Sequence, residues 1–351
     1  MSNAYARSGV DTGEAARGVQ ELVAVLRSID PGRPSRSAVA PGHYASVLEV
    51  APNLGVAFCT DGVGSKVIVA EQASRYDTVG VDCVAMNVND IICVGAEPLA
   101  LVDYLAVERA DPDMLREIAT GLKAGAEQAG VEIPGGELAQ LPELIRGHPS
   151  PRGFDLTGAC IGTVALDRLV TGAACAPGDA LVGLPSSGVH SNGLTLARRA
   201  LLEDGGLALE DRPEVLDGAS VADVLLEPTT IYVRAVLELL SSAVEVHGLA
   251  HITGDGALNL LRLSDSVGFE IDAPLAEPPV FALIREVGGI AEAEMHQVFN
   301  MGCGFCCVVD PADADAAIAL LARHHPGAAR IGRVTDAAGT VTLPGLTLPA
   351  R

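Results

Sequence analysis

The chain has 351 residues, 49% hydrophobic and 19% charged, and its 45 acidic against 23 basic side chains give a formal net charge of -22. Charge of that sign repels both the nucleic-acid backbone and anionic membrane, so neither nucleic acid nor a membrane is expected as a partner. The length exceeds one ordinary domain and the apolar content suffices for two cores, which predicts a globular two-domain protein.

No apolar stretch approaches the ~18 residues of a membrane span, and Met1-Ser2-Asn3-Ala4-Tyr5-Ala6 lacks a basic region followed by an apolar run. A cytoplasmic location is therefore expected. The cysteines at 59, 83, 93, 160, 175, 303, 306 and 307 lack the paired spacing of a zinc site and read as small buried hydrophobes. Cys303-Gly304-Phe305-Cys306 is a C-x-x-C, but it runs into Val308-Val309 as a strand and opens no redox-motif helix.

In chain order, a helix over 13–29 is stopped by Pro31, Gly32 and Pro34. Residues 47–50 and 56–60 then read as a hairpin whose second strand delivers Thr60-Asp61-Gly62-Val63-Gly64-Ser65-Lys66. A helix over 77–94 follows, with Gly95 and Pro98 as its stop. It is apolar nearly all round and hence buried, yet it carries Asp82, Asn89 and Asp90. Buried carboxylates need partners. Beside two glycines, Asp61 and one lysine, they form the pattern of a site for metal-bound phosphate.

After a strand over 99–106, residues 111–129 read as a helix with Pro112 near its start and Gly130 just past its end. Pro134-Gly135-Gly136-Glu137 reads as a paired-glycine turn presenting one carboxylate. Residues 143–153 read as an exposed loop and 154–165 as a strand. The domain boundary is expected near 170, which divides the chain into 1–170 and 171–351.

The second domain opens with a strand over 179–185, the loop Ser186-Ser187-Gly188-Val189-His190-Ser191-Asn192-Gly193 and a helix over 194–202. Strand, Ser/Gly loop and helix form an anion-binding arrangement, because unpaired N–H groups at the helix start face the ligand. From the residues alone, His190 is either a hydrogen-bond donor and proton carrier or a solvated loop histidine. A helix is expected over 228–240. Thr253-Gly254-Asp255-Gly256 is a second anion-loop candidate or a plain capped turn. A helix over 312–324 and a hairpin of 329–334 with 341–346 close the chain.

These segments, with Gly80 to Asp90, Gly95-Ala96-Glu97-Pro98, His251-Ile252-Thr253-Gly254 and Phe299-Asn300-Met301-Gly302, stand in the order found in phosphoribosylformylglycinamidine cyclo-ligases, or AIR synthetases. Tyr5 to Asp11 also resembles that family's start. The resemblance covers nearly the whole chain. It implies a mixed α+β, two-domain AIR-synthetase-like fold, with N-terminal sheets forming a barrel across a homodimer and a C-terminal α/β sandwich on each side.

The implied activity is ATP-dependent closure of formylglycinamidine ribonucleotide (FGAM) to aminoimidazole ribonucleotide (AIR), releasing ADP and phosphate. By the same resemblance Asp61 and Asp90 would hold Mg²⁺ and Lys66 would neutralise the transferring phosphoryl group. Gly62, Gly64, Glu137 and His43 would line the ATP site. Ser187, Gly188, Ser191, Asn192, Thr253 and Gly254 would hold substrate, with His190 beside the oxygen being activated. The chain departs from the family pattern at Gly42-His43-Tyr44, where members carry a longer glycine-rich segment, at helix 13–29, which lacks a lysine, and at Gly254-Asp255-Gly256. The rival readings are another ATP-using enzyme of the superfamily and a non-catalytic nucleotide-binding paralogue. The His-Ser-Asn loop and the presence of Asp61, Lys66, Asp90 and His190 count against both.

Overall fold

The computed structural model describes residues 4–9 and 12–350, so Val10 and Asp11 of the family-like start lie outside the described residues. The first half contains α1 (Ala4–Arg7), α2 (Thr12–Leu26), β1 (Ser46–Ala51), β2 (Leu54–Gly62), α3 (Lys66–Ala73), α4 (Val79–Ile92), β3 (Glu97–Val107), α5 (Pro112–Ala129), β4 (Glu132–Gln140) and β5 (Phe154–Ala165). Its five strands make one open sheet in the order β1-β2-β5-β3-β4, antiparallel except for the β3–β4 pair.

The expected β1–β2 hairpin forms with a tight turn, in which Asn53 takes the left-handed conformation at φ 58° that asparagine tolerates. The α5 expectation holds at both ends. Asp111 caps it by accepting from the backbone N–H of Asp113 and Met114, and Gly130 closes it at φ 75°. α4 and α5 cross closely because Gly80 and Gly121 meet there: a Cβ on Gly80 would stand 2.2 Å from the Leu122 nitrogen. Helix α4 lies across β2, β3 and β5 and also touches α8 and β7 of the second half, whose ranges follow. It is the element common to both cores.

The second half contains β6 (Ala180–Pro185), α6 (Leu194–Arg198), α7 (Val221–Leu226), α8 (Val233–Leu240), β7 (Val246–His251), β8 (Gly268–Ile271), α9 (Pro279–Gly288), α10 (Glu292–Val298), β9 (Cys303–Val309), α11 (Ala314–Leu321), β10 (Ala329–Thr335), β11 (Thr340–Leu343) and β12 (Leu346–Pro349). Its seven strands run β12-β11-β8-β10-β6-β9-β7, and only β8–β11 is parallel. The apolar runs of β6 and β9 sit side by side between β10 and the edge strand β7, buried on both faces.

Three readings need correction. Pro134 to Glu137 is not a turn: it lies inside β4, where the flat backbone of Gly135 and Gly136 pairs with Val102 and Asp103. The closing hairpin is β11–β12 about Pro344-Gly345, while β10 pairs instead with β6 and β8, because the long-range strands outcompete the neighbour in sequence. Residues 227–232 are not helical: they cross α4 in an irregular conformation and α8 begins only at Val233.

The loop at 143–153 is exposed in part but fastened at both ends. The buried Glu71 carboxylate accepts from His148 N at 2.6 Å and Phe154 N at 3.3 Å, and Glu108 accepts from Gly147 N at 2.8 Å and Gly153 N at 3.3 Å. No helix among the described residues is long and apolar enough to cross a membrane.

Candidate active site

The acidic candidates sit where β2 ends against α4. Of the 14 residues of α4, 13 are buried and Asp90 alone keeps exposure, so it is the one carboxylate of that helix able to meet a ligand. Its Oδ1 lies 2.9 Å from Nδ1 of the fully buried His251, at the end of β7. Asn87, one turn earlier on α4, clamps the Asp61 backbone: its Oδ1 accepts from Asp61 N at 3.0 Å and its Nδ2 donates to Asp61 O at 3.1 Å. A strand end and a helix face are thereby locked in register, which holds both carboxylates toward one opening.

Burial, and then the negative charge of Asp90, push the Asp61 carboxyl up to about 6, while His251 and Arg262 pull the other way. Two neighbouring carboxylates, with the charge of Asp90 opposing ionisation of Asp61, are a donor set suited to a hard divalent cation, with phosphate oxygens and water as the remaining ligands. Among the described residues there is no cluster of three or more metal-ligating side chains, so the protein alone offers a partial shell, as Mg²⁺ bound with a polyphosphate uses. The residues fit the ion.

A pH dependence follows with a definite sign. The folded pKa of Asp61 lies above its ordinary value, so this group favours the folded ligand-free protein below about pH 4, and that contribution is lost as pH rises through about 6. Cation binding runs oppositely, since the ion needs the carboxylate. We expect affinity for Mg²⁺-ADP, measured by calorimetry, to fall as pH drops from about 7 to 5. In Asp61→Asn the ligand-free protein should melt higher at neutral pH and that step in affinity should vanish; an unchanged step would assign it to another group.

Lys66 does not face this opening. It begins α3 pointing inward, wholly buried, with Nζ 2.9 Å and 2.8 Å from the two carboxylate oxygens of Asp82 and 2.6 Å from Glu227 O. Asp82 Oδ1 also accepts from Thr229 N at 2.8 Å and Thr229 Oγ1 at 2.6 Å. Burial pushes Lys66 down and Asp82 up, against the attraction between them. The partners that the buried Asp82 requires are thus a lysine and a threonine, not a metal ion. With Asn89, which donates to Thr230 O at 2.9 Å and accepts from Tyr232 N at 3.0 Å, the pair grips the 227–232 crossing and joins the two halves.

The Ser/Gly loop of the second half closes on the Gly62–Gly64 turn. Ser191 Oγ donates to Val63 O at 2.8 Å, and the hydroxyls of Ser65 and Thr195 are 2.8 Å apart. Asn192 Nδ2 reaches Met86 Sδ at 3.8 Å, and a Cβ on Gly254 would come within 3.3 Å of Asn192 Oδ1. Gly62, Gly64, Ser191, Asn192 and Gly254 are therefore neighbours across the seam. Thr253 Oγ1 points instead to Asn259 Oδ1 at 3.2 Å. Ser187 donates to Pro228 O at 2.6 Å and, with Gly188, lines a separate cavity toward Asp223, Glu227 and Pro279.

His190 is neither solvated nor a proton carrier at neutral pH. It is 1% exposed at φ 59°, and its Nε2 accepts from Ser187 N at 3.2 Å and Thr230 N at 3.4 Å. Burial, reinforced by His251 and Lys66, holds its pKa well below the ordinary value. The ring is neutral with its hydrogen on Nδ1, which has no hydrogen-bond partner among the described residues and remains a donor.

His43 lies beside the acidic pair. Burial and Arg262 lower its pKa to about 4, while Asp90 and the Thr171 backbone oppose them. Arg262 stacks over Tyr44 at 4.1 Å and donates to the carbonyls of Gly42 and His43, both at 3.2 Å. Glu137 is apart from this group: it is aligned with Tyr104, Thr157 and Gly62 across three strand spacings, about 14 Å from the Gly62 backbone in one chain. Sequence reasoning passes over His251, Asn87 and Arg262 as site residues. His251 stands inside a recognised motif, and only its contact with Asp90 shows its task.

The two halves that meet at this seam place the chain in the class of AIR synthase related proteins. Residues 42–164 match the N-terminal domain of that description and 176–343 its C-terminal domain. The solved structures of hydrogenase maturation protein HypE in complex with ATP (TM-score 0.62, 23% identity, 88% of this chain and 87% of that one) and of thiamine monophosphate kinase from Aquifex aeolicus (TM-score 0.61, 18% identity, 94% and 97%) share the fold. The phosphoribosylformylglycinamidine cyclo-ligase of Methanothermobacter thermautotrophicus is 48% identical over 98% of this chain and 97% of its own, and that of Thermococcus gammatolerans 47% over 95% and 96%. The chain belongs to the phosphoribosylformylglycinamidine cyclo-ligase family.

Proposed function

We propose that this protein closes FGAM to AIR at the expense of ATP, releasing ADP and phosphate, in cytoplasmic purine biosynthesis. The observation that carries the reading is the seam itself: Asp61 and Asp90 from the first half face Ser191, Asn192 and Gly254 from the second, across fixed hydrogen bonds. A reaction that moves a phosphoryl group onto an amide oxygen and then expels it needs two substrates aimed at each other, which a site built from two halves provides.

Asp61 and Asp90 would hold Mg²⁺, which when bound neutralises charge on the ATP polyphosphate. At Gly64, where a Cβ would stand 3.9 Å from the Ser191 carbonyl, the missing side chain leaves room for phosphate beside the seam, while Gly62 N and Val63 N are already engaged by Asp61 Oδ1 and Leu156 O. Asn192 and Gly254 would seat the FGAM amide. His190, neutral and with Nδ1–H unpartnered, is suited to donate a hydrogen bond to the developing oxyanion; it orients charge and carries no proton. Lys66 contributes by fastening the halves together, and the exposed Arg262 is placed to answer phosphate charge.

The reading includes a homodimer. One face of the first sheet is covered by α4, whereas the other leaves Leu48, Phe58, Leu99, Val102, Tyr104 and Ile161 between 37% and 48% exposed. An apolar face of that extent on a five-stranded open sheet is a surface for a second copy, whose β4 edge would carry Glu137 toward the site that its own chain cannot reach. Val102→Glu with Ile161→Glu should convert the dimer to monomer in sedimentation and remove turnover; a dimer that survives both charges refutes this interface.

The test of function is incubation of the purified protein with ATP, Mg²⁺ and FGAM. Equal amounts of AIR and ADP are expected. No imidazole product, with turnover of another amide, would replace the assignment by a different amide-activating enzyme.

A further inference from the structure

The cysteine motif that the site leaves unused lies directly behind it. Cys303 and Cys306 are three apart in β9, where alternation should send them to opposite faces. A bulge changes that: Cys303 pairs with Pro185 and Phe305 with Leu184, so Gly304 is extruded from the ladder. The two sulfurs end 3.5 Å apart, beside a cavity lined also by His296, Asn300 and Met301. Cys303 is half-buried and Cys306 2% exposed.

The extruded glycine connects this pair to the site. Gly304 O accepts from Ile252 N at 3.0 Å, which holds the His251–Gly254 segment. A Cβ on Gly304 would stand 2.6 Å from His190 Cε1 and 2.1 Å from Tyr232 Oη. Just before Cys303, Asn300 accepts from Ser186 Oγ at 2.7 Å and donates to Gly188 O at 2.8 Å. Any shift of residues 303–306 is thus felt by His190, by the Ser/Gly loop and by the segment carrying Asp90's partner.

We propose that Cys303 and Cys306 are a peroxide-sensitive thiol pair whose disulfide slows the enzyme by displacing Gly304. The Cys303 sulfur, the more accessible, attacks one oxygen of a hydroperoxide. The O–O bond breaks, the departing oxygen takes the thiol proton and leaves as water or an alcohol, and Cys303 becomes a sulfenic acid. The Cys306 sulfur then displaces the sulfenic oxygen: the S–S bond forms, and the oxygen leaves as water with the Cys306 proton. Two thiols are oxidised and one peroxide is reduced by two electrons, and a dithiol reductant reverses the change. The hydrogen bond to Cys303, together with burial, holds the Cys306 thiol well above its ordinary pKa, which keeps it a thiol until Cys303 has reacted.

The activity part of this proposal rests on the cyclo-ligase reading; the covalent part does not. The experiment treats the full-length protein with hydrogen peroxide, maps disulfides by mass spectrometry without reduction, and follows AIR formation before and after dithiothreitol. A Cys303–Cys306 cross-link lighter by two hydrogens is expected, with turnover down on the order of tenfold to a hundredfold and restored by the reductant. Cys303→Ser should keep its turnover under peroxide. Oxidation of Cys303 to sulfinic acid without a cross-link overturns the proposal, as does a cross-link that leaves turnover unchanged. If the untreated protein makes no AIR, the cyclo-ligase reading fails, while the mass measurement on wild-type protein still decides the thiol chemistry. That measurement also decides it should Cys303→Ser not fold.

Discussion

Asp90→Asn is expected to reduce AIR formation by on the order of a thousandfold while leaving the protein folded. Every other residue of α4 is buried, so this carboxylate is what the helix offers to a ligand. Asparagine has the same shape and keeps an oxygen to accept from His251 Nδ1, so the 2.9 Å contact survives and the seam stays closed. What is lost is charge: with Asp61 alone, and Asp61 pushed up to about 6 partly by Asp90 itself, the site holds a divalent ion poorly. Removing Asp90's charge should also lower the Asp61 pKa, a shift measurable by NMR titration of the ligand-free variant. Turnover at the wild-type rate would take Asp90 out of the mechanism, whatever the titration shows.

The second large effect is structural. Asp82→Ala strands Lys66, fully buried, with the Glu227 carbonyl as its remaining partner, and removes the oxygen that accepts from both the N–H and the hydroxyl of Thr229. Breaking a buried pair from one side costs roughly 3–5 kcal/mol, a large share of a domain's stability, so a strongly lowered denaturation midpoint is expected. Replacing both partners, Lys66→Met with Asp82→Leu, should recover most of that loss because no charge is left to desolvate. The double variant also separates two roles for Lys66. Retained turnover would confine Lys66 to joining the halves, whereas a stable but inactive double variant would return it to the phosphate, as the family resemblance implies. Ionic strength should matter little to the single variant's loss, since the pair is out of reach of salt.

Regular elements with strong local signals are legible in the residues themselves. Strand 154–165 matches β5 at both ends, and α5 begins and ends at its Asp-Pro and glycine signals. These depend on neighbours in the chain, and so a linear reading finds them. The failures share a cause as well. Gly135-Gly136 has turn chemistry yet lies flat in β4, because parallel pairing with β3 supplies hydrogen bonds that no local rule counts. The helix expected from residue 228 begins only at Val233: Thr229, Thr230 and Ile231 are β-branched, and Lys66 together with Asp82 and Asn89 of α4 bonds to this crossing and holds it out of a helix.

The site divides along the same line. Residue type and spacing mark Asp61, Asp90, the Ser186–Gly193 loop and the Thr253–Gly254 turn as candidates for phosphate chemistry. Which of them meet is not. Asp90 and Asp82 lie eight residues apart on one helix; one faces the opening and the other a buried lysine, because α4 is clasped on two sides by different domains. His190 reads in sequence as a solvated or proton-carrying histidine and is a buried, neutral donor; His251 reads as one residue of the family-like segment 251–254 and holds Asp90. Sequence by itself determined the chemistry available to this protein: the acidic pair, the glycine turns and the family they belong to. Tertiary structure alone decided the protonation and partner of each group, because burial and the charges of sequence-distant neighbours set both.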